Sequence, residues 1–305
     1  MPQTNIFMFP GQGSQTEKMG FQLWQTSNHA KETFQLASQI YEQSLEQICF
    51  HSPFTELQRT DNAQIAIATL SIIYFDQLLE QNIQPDIVIG HSAGEIAGLY
   101  ASGILTKQDA LLFAKIRGQA MYQAASQTTG KMIAIVNATS EQIQPLIDEI
   151  KQQNTVLAIS NYNGPLETVV SGDIEPVTQL QEKIKELRIG RAVDLKQQGA
   201  WHSKHMQQAQ DKIEQQMKNI QIHAPKIPMF FNYDAQSTND PEKIRKNLIQ
   251  IITHPVHWTQ ILEKLKEIEN PHFYEVGTKN ILGGLLRKTY KDIQYEYTPT
   301  DIVQA

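Results

Sequence analysis

The sequence predicts an α/β protein in two parts: a large domain built on a parallel sheet, and a small α+β domain inserted into it. Three observations carry that expectation. A short β-branched run, Ile87-Val88-Ile89, ends on Gly90 and opens straight into the helical pattern from His91 to Ala101. A second apolar run, Ile6-Phe7-Met8-Phe9, leads into the glycine-rich turn Pro10-Gly11-Gln12-Gly13-Ser14-Gln15, which cannot continue a strand. Between Gly130 and Leu195 the pattern becomes strand, helix, strand, strand, helix, strand, the split βαβ order of a ferredoxin-like unit.

Composition narrows the class. The 305 residues are 40% hydrophobic and 19% charged with a formal net charge of -6, enough apolar content for a large core and too acidic for a dedicated nucleic-acid binder. No apolar run approaches the roughly 18–20 residues of a membrane-spanning helix. Cys49 is the only cysteine, which excludes a secreted disulfide scaffold. The first residues, Met1 to Phe9, lack the basic segment and long apolar stretch of a signal peptide. A cytoplasmic protein is expected, acting as a monomer without nucleic-acid or membrane partners.

The elements follow in order. Residues Lys18 to Leu45 are helix-rich, and a largely buried helix runs from Asp61 or Asn62 to Gln81 on Ile65, Ile67, Ala68, Ile72 and Phe75. Another helix begins after Thr106. Met132 to Val136 reads as a strand, Ser140 as the cap of a helix to about Gln152, and Val156 to Ile159 and Glu167 to Gly172 as strands. A helix from Ile174 to Leu187 and a strand from Gly190 to Leu195 close the insert. Beyond it, a helix is expected from Trp201 to Met217, a strand from Ile227 to Phe231 and a helix from Pro241 to Ile252. An amphipathic segment from Trp258 to Ile268 and a strand from His272 to Val276 follow.

The chemistry centres on Gly90-His91-Ser92-Ala93-Gly94, a G-x-S-x-G nucleophile elbow at the strand-to-helix junction that the motif requires. Glycines at 90 and 94 remove side chains that would strike the neighbouring strand and helix. A helix opening at Ser92 would aim free N–H groups at a reacting carbonyl. The competing reading is a capping serine in a tight turn. A serine nucleophile needs a base, and nine histidines compete for the role. His202 stands where the insert returns to the large domain, a sensible junction, but spacing alone does not select it. Arg117 is either a solvated charge or, given Phe113, Ala114 and Met121 at helical spacing, a buried cation awaiting a substrate carboxylate. The Pro10 turn lacks the G-K-[ST] ending of a phosphate loop, and no paired Cys/His spacing suggests a metal.

Together these pieces resemble the malonyl-CoA:acyl-carrier-protein transacylase family, discrete acyltransferases of fatty-acid or trans-acting polyketide synthase systems. The resemblance spans essentially the whole chain: Phe9 to Gln15, Gly90 to Glu95, Arg117-Gly118 with Met121, Asn161 and Asn163 before Val169 to Gly172, Gly199 to Ser203 with Met206, Pro255 to Trp258, and Glu275-Val276-Gly277. It implies a hydrolase-like large domain (residues 1–128 and 197–305) and a ferredoxin-like small domain (129–196). It also implies a ping-pong transfer of malonyl from coenzyme A, through an acyl ester on Ser92 with His202 as base, to the phosphopantetheine thiol of an acyl carrier protein. No bound cofactor or metal is expected. Backbone N–H groups of Gln12 and Ala93 would form the oxyanion hole, and Arg117 would hold the malonyl carboxylate. His91, Trp201, Asn161, Asn163 and Met121 would line the pocket. A backbone carbonyl at Ile251, beside Gln250, would orient the histidine.

The sequence departs from the family pattern at Ala93, where leucine is common, and at Trp201, where phenylalanine is usual. The bulkier Trp201 is expected to disfavour branched extender units. His254 and His257 flank Pro255-Val256 and add titrating groups of unassigned role. Two other functions are weighed against the transferase. An editing hydrolase of stalled acyl carriers is opposed by the retained Arg117, and an idle docking protein by the intact Ser92, His202 and Arg117.

Overall fold

A computed structural model describes residues 3–196, 198–290 and 293–297. Residues 1, 2 and 197, which the leader and domain-boundary expectations touch, lie outside the described residues.

Four expected strands assemble with a fifth into one parallel sheet. The strands are β1 (Thr4–Phe9), β2 (Ile87–Gly90), β7 (Met229–Phe230), β8 (Pro271–Glu275) and β9 (Gln294–Tyr297). Their order is β7-β2-β1-β8-β9, every pairing parallel, with Phe9 opposite Gly90. That register brings the Pro10 turn and the elbow side by side at the carboxyl ends of β1 and β2, where open α/β sheets form their clefts. β1 and β2 are apolar on both faces because helices cover both faces of a parallel sheet. The helix Thr60–Glu80 is buried around most of its circumference and packs on Lys107–Gln127, whose start is capped by Thr106.

The insert forms a separate antiparallel sheet from β3 (Lys131–Val136), β4 (Leu157–Gly164), β5 (Glu167–Gly172) and β6 (Arg191–Leu195), ordered β4-β5-β3-β6. Its alternation explains its use. Ile133, Ile135 and Val170 pack with Ile143, Ile147, Val177 and Leu180 of the helices Ser140–Ile150 and Ile174–Leu187 in a core of their own. The intervening Met132 and Val169 point the other way and join the main core. With a side-chain period of two, one face is closed by the insert's helices and the other is turned on the large domain.

Several sequence expectations are corrected. The cap of the Ser140 helix is Thr139, whose N–H donates to Gln142 Oε1 at 2.9 Å in a capping-box contact. Trp201, His202 and Ser203 form a turn, because His202 adopts φ 55°, and helical structure starts only at Lys204. Ser203 caps that start by accepting the His205 N–H. The strand expected over Ile227 to Phe231 shrinks to Met229–Phe230, and the one expected to end at Ile159 runs on to Gly164 through two register shifts. Sequence reading also missed the helix Leu282–Thr289, its signal suppressed by Gly283 and Gly284. Glu275, fully buried, organises that helix start by accepting the N–H groups of Ile281, Leu282 and Gly283.

Candidate active site

The two turns at the strand ends touch. A Cβ on Gly94 would lie 1.9 Å from the Phe9 carbonyl oxygen, and one on Gly11 would lie 2.3 Å from that of His91, so only glycine allows this approach. Ser92 sits between them with φ 51°, a left-handed conformation that a non-glycine residue holds only when its surroundings impose it. Asn232 supplies the brace. Its Oδ1 accepts the Ser92 N–H at 2.6 Å, its Nδ2 donates to the Gly90 carbonyl at 2.6 Å, and its own N–H donates to Glu95 Oε1 at 2.7 Å. Glu95 is almost wholly buried, and that burial pushes its carboxyl up to about 8 despite the Asn232 bond and the Arg117 charge, which both act downward. The residues after Ser92 make one tight 3-10 turn, and the α-helix opens at Glu95 rather than at the nucleophile.

Two polar side chains converge on the serine hydroxyl, and a backbone carbonyl orients one of them. Ser92 Oγ lies 2.7 Å from His202 Nε2, and Arg117 Nη2 donates to the same oxygen at 3.2 Å. His202 Nδ1 lies 2.7 Å from the Ile251 carbonyl. Facing a carbonyl, Nδ1 carries the proton, which leaves the Nε2 lone pair for the Ser92 hydroxyl. Burial first, and then the Arg117 cation, lower His202 to about 3, so its imidazole is neutral at ordinary pH. Arg117 is also buried. Desolvation lowers it to about 10, opposed by Glu95, and it remains a cation at neutral pH. Its Nη1 donates to Gln64 Oε1 at 2.6 Å, so a neutral amide is its direct internal partner.

These groups open onto a cavity of about 300 Å³ between the two sheets. Gly11, Gln12 and Gly13 form one rim beside Ala93, and the Gln12 side chain is anchored by Thr60 Oγ1 at 2.7 Å. Met121, Trp201, Asn161 and Asn163 line the cavity as the sequence reading expected, and His91 joins them with Nε2 on Asn163 Oδ1 at 2.9 Å. Met132, Val169 and Leu195 bring the turned-in face of the small sheet into the same wall. Ile281, Leu282 and Leu285 complete it from the helix that sequence reading missed.

Gln250 is a correction. Its carbonyl accepts from His254 Nδ1 at 2.8 Å, whereas His202 Nδ1 faces the Ile251 carbonyl. His257 is also accounted for, with Nδ1 on the Asn232 carbonyl at 3.1 Å and its ring stacked on Tyr162. Other candidate bases have structural partners: His29 meets Asp76, His205 meets Asp173 and His272 meets Glu296. Sequence reading missed Gln64 and Asn232. A polar amide inside the apolar run Gln64-Ile65-Ala66-Ile67-Ala68 was a usable signal for the first. The second had none, since it acts from a loop 140 residues beyond Ser92.

Fold and site together define an acyltransferase class of protein. The sequence profile of the acyl transferase domain matches residues 6–303, and the chain belongs to that family. It is 31% identical over 288 residues to the malonyl CoA-acyl carrier protein transacylase of Bacillus subtilis strain 168, covering 94% of this chain and 91% of that one. The solved malonyl CoA-acyl carrier protein transacylase of Coxiella burnetii superposes with a TM-score of 0.94 at 30% identity, covering 99% of this chain and 96% of the other. A malonyl-transacylase solved in complex with its type II polyketide-synthase acyl-carrier protein gives a TM-score of 0.93 at 26% identity, covering 98% of this chain and 97% of that one.

Proposed function

We propose that the chain moves a malonyl group from coenzyme A to the phosphopantetheine thiol of an acyl carrier protein, in fatty-acid or polyketide synthesis. The observation that carries this reading is the meeting of His202 Nε2 and Arg117 Nη2 on Ser92 Oγ. In a malonyl ester of that oxygen the carboxylate carbon is three bonds away, so a cation beside the oxygen suits a short diacid.

The transfer runs in two balanced halves. His202 Nε2 takes the Ser92 proton as Oγ attacks the thioester carbonyl, and the N–H groups of Gln12 and Ala93 hold the oxyanion. The C–S bond breaks, the departing sulfur receives the proton from His202, and malonyl remains on Ser92. The carrier thiol then gives its proton to His202 as its sulfur attacks the ester carbonyl, and when the C–O bond breaks His202 returns that proton to Ser92 Oγ, regenerating the enzyme. Ile251 keeps the imidazole in the useful tautomer, and Arg117 pairs with the malonyl carboxylate throughout. His91, Asn161, Asn163, Met121 and Trp201 shape the acyl pocket.

Every chemical role in this scheme falls to a side chain or a backbone N–H or carbonyl group, so the scheme uses neither cofactor nor metal. Among the described residues no group of three or more His, Cys, Asp and Glu could hold a metal ion, and no helix is long and apolar enough to cross a membrane. A cytoplasmic location, where coenzyme A thioesters and carrier proteins meet, is part of this proposal. We divide the chain into a large catalytic unit, 1–128 with 197–305, and a small unit, 129–196, with the carrier docking in the groove between them.

Intact-protein mass spectrometry tests the reading. Malonyl-CoA should leave a malonyl adduct on Ser92 that moves to a phosphopantetheinylated carrier protein. Free malonate without an adduct, or stripping of acyl carrier, would overturn it.

A further inference from the structure

Glu167 is the one carboxylate among the described residues lining the active-site cavity. It opens β5 opposite Val136 and Gly164, and its side chain is only 13% exposed. A carboxylate in that wall works against an acyl group carrying its own carboxylate, and buried surroundings screen the repulsion poorly. Glu167 also acts on the site's interior, where its charge opposes the lowering of His91 by burial.

The opposing charge comes from Lys288, whose Nζ donates to Glu167 Oε2. Lys288 stands on the helix Leu282–Thr289, three residues beyond Leu285, which lines the same cavity. The helix rests on the β4–β5 turn, since a Cβ on Gly164 would be 3.9 Å from Lys288 Cβ. The Lys288 side chain is 52% exposed against 13% for Glu167, so the cationic member of the pair is the one open to solvent.

We propose that Lys288 is a specificity-determining residue: by masking the Glu167 carboxylate it keeps the cavity open to a dicarboxylic acyl group. Without the mask, a monocarboxylic acyl group such as acetyl meets no added repulsion, whereas malonyl meets a bare charge of its own sign. The inference rests on the malonyl reading above and deepens it.

The test compares the full-length wild type with Lys288→Met, Lys288→Arg and the double variant Lys288→Met with Glu167→Gln. Each is assayed for kcat/KM with malonyl-CoA and acetyl-CoA against one holo carrier protein. Lys288→Met should lower malonyl transfer about tenfold while acetyl transfer stays within about twofold, because an uncompensated carboxylate in the cavity wall opposes only the acyl group that carries its own charge. Lys288→Arg should keep the wild-type ratio, and adding Glu167→Gln to Lys288→Met should restore malonyl transfer. Equal losses for both acyl groups, or no restoration by Glu167→Gln, would overturn the inference and leave the pair as a structural tie. A wild type that loads no malonyl would instead overturn the functional reading itself, and the inference with it.

Discussion

Ser92 and His202 both hold left-handed backbone, at φ 51° and 55°, and their side chains meet at 2.7 Å. Neither residue favours that conformation, so the surroundings stabilise both turns: Asn232 braces the first, and the Ile251 carbonyl fixes the imidazole of the second. Strain of this kind aims two side chains from distant segments at one point.

Ser92→Ala should abolish the covalent adduct, and His202→Ala should lower the acylation rate roughly a thousandfold or more, as loss of a nucleophile's base does in related arrangements. Burst kinetics with malonyl-CoA check both. A persisting adduct in the Ser92 variant would move the nucleophile elsewhere.

Arg117→Ala should lower malonyl transfer about tenfold to a hundredfold more than acetyl transfer, because only malonyl loses a buried charged pair. The ratio of kcat/KM for the two donors measures it. Similar losses for both would make Arg117 structural.

The pH profile follows from the sign of the His202 shift. The neutral imidazole is the working form, and a value lowered to about 3 keeps it neutral, so kcat/KM should stay flat from about pH 8 to about pH 5. Removing the Arg117 cation removes a charge that opposes protonation, so Arg117→Ala should move the acid limb upward. A wild-type limb near 6.5 would contradict the buried geometry. A malonyl carboxylate on Arg117 acts in the same direction as the variant, making His202 more basic when the preferred substrate arrives.

Glu95 predicts a stability effect. Its carboxyl rises from an ordinary 4.5 to about 8 in the folded chain, so its contribution is present at low pH and lost as pH rises through that window. Glu95→Gln keeps an acceptor for the Asn232 N–H and cannot ionise. Relative to wild type, its melting temperature should gain a few degrees between about pH 5 and about pH 8. A gap that stays constant with pH would mean Glu95 does not titrate there.

The legible parts of this fold were those written locally. The elbow, the Pro10 turn and the βαββαβ order of the insert each depend on contiguous residues, and the structure places them as expected. Resemblance, not spacing, singled out His202 from nine histidines. What stayed hidden depends on contacts between distant segments. The brace from Asn232 is one case, and the glycine-bearing helix organised by Glu275 is another. The turn at Trp201 to Ser203 was misread as helix because nothing local announces the positive φ of His202.

The neutral amide of Gln64 against Arg117 also bears on how readily this scaffold changes its diet. Because the guanidinium has no carboxylate of its own in contact among the described residues, dicarboxylate preference hangs on a vacancy that a single exchange would fill. Gln64→Glu should supply an internal counter-ion, depress malonyl loading relative to acetyl loading, and be visible in the same competition assay; an unaltered ratio would refute it. Divergence toward simpler acyl groups is then one substitution away, without rebuilding the nucleophile, its base or the fold.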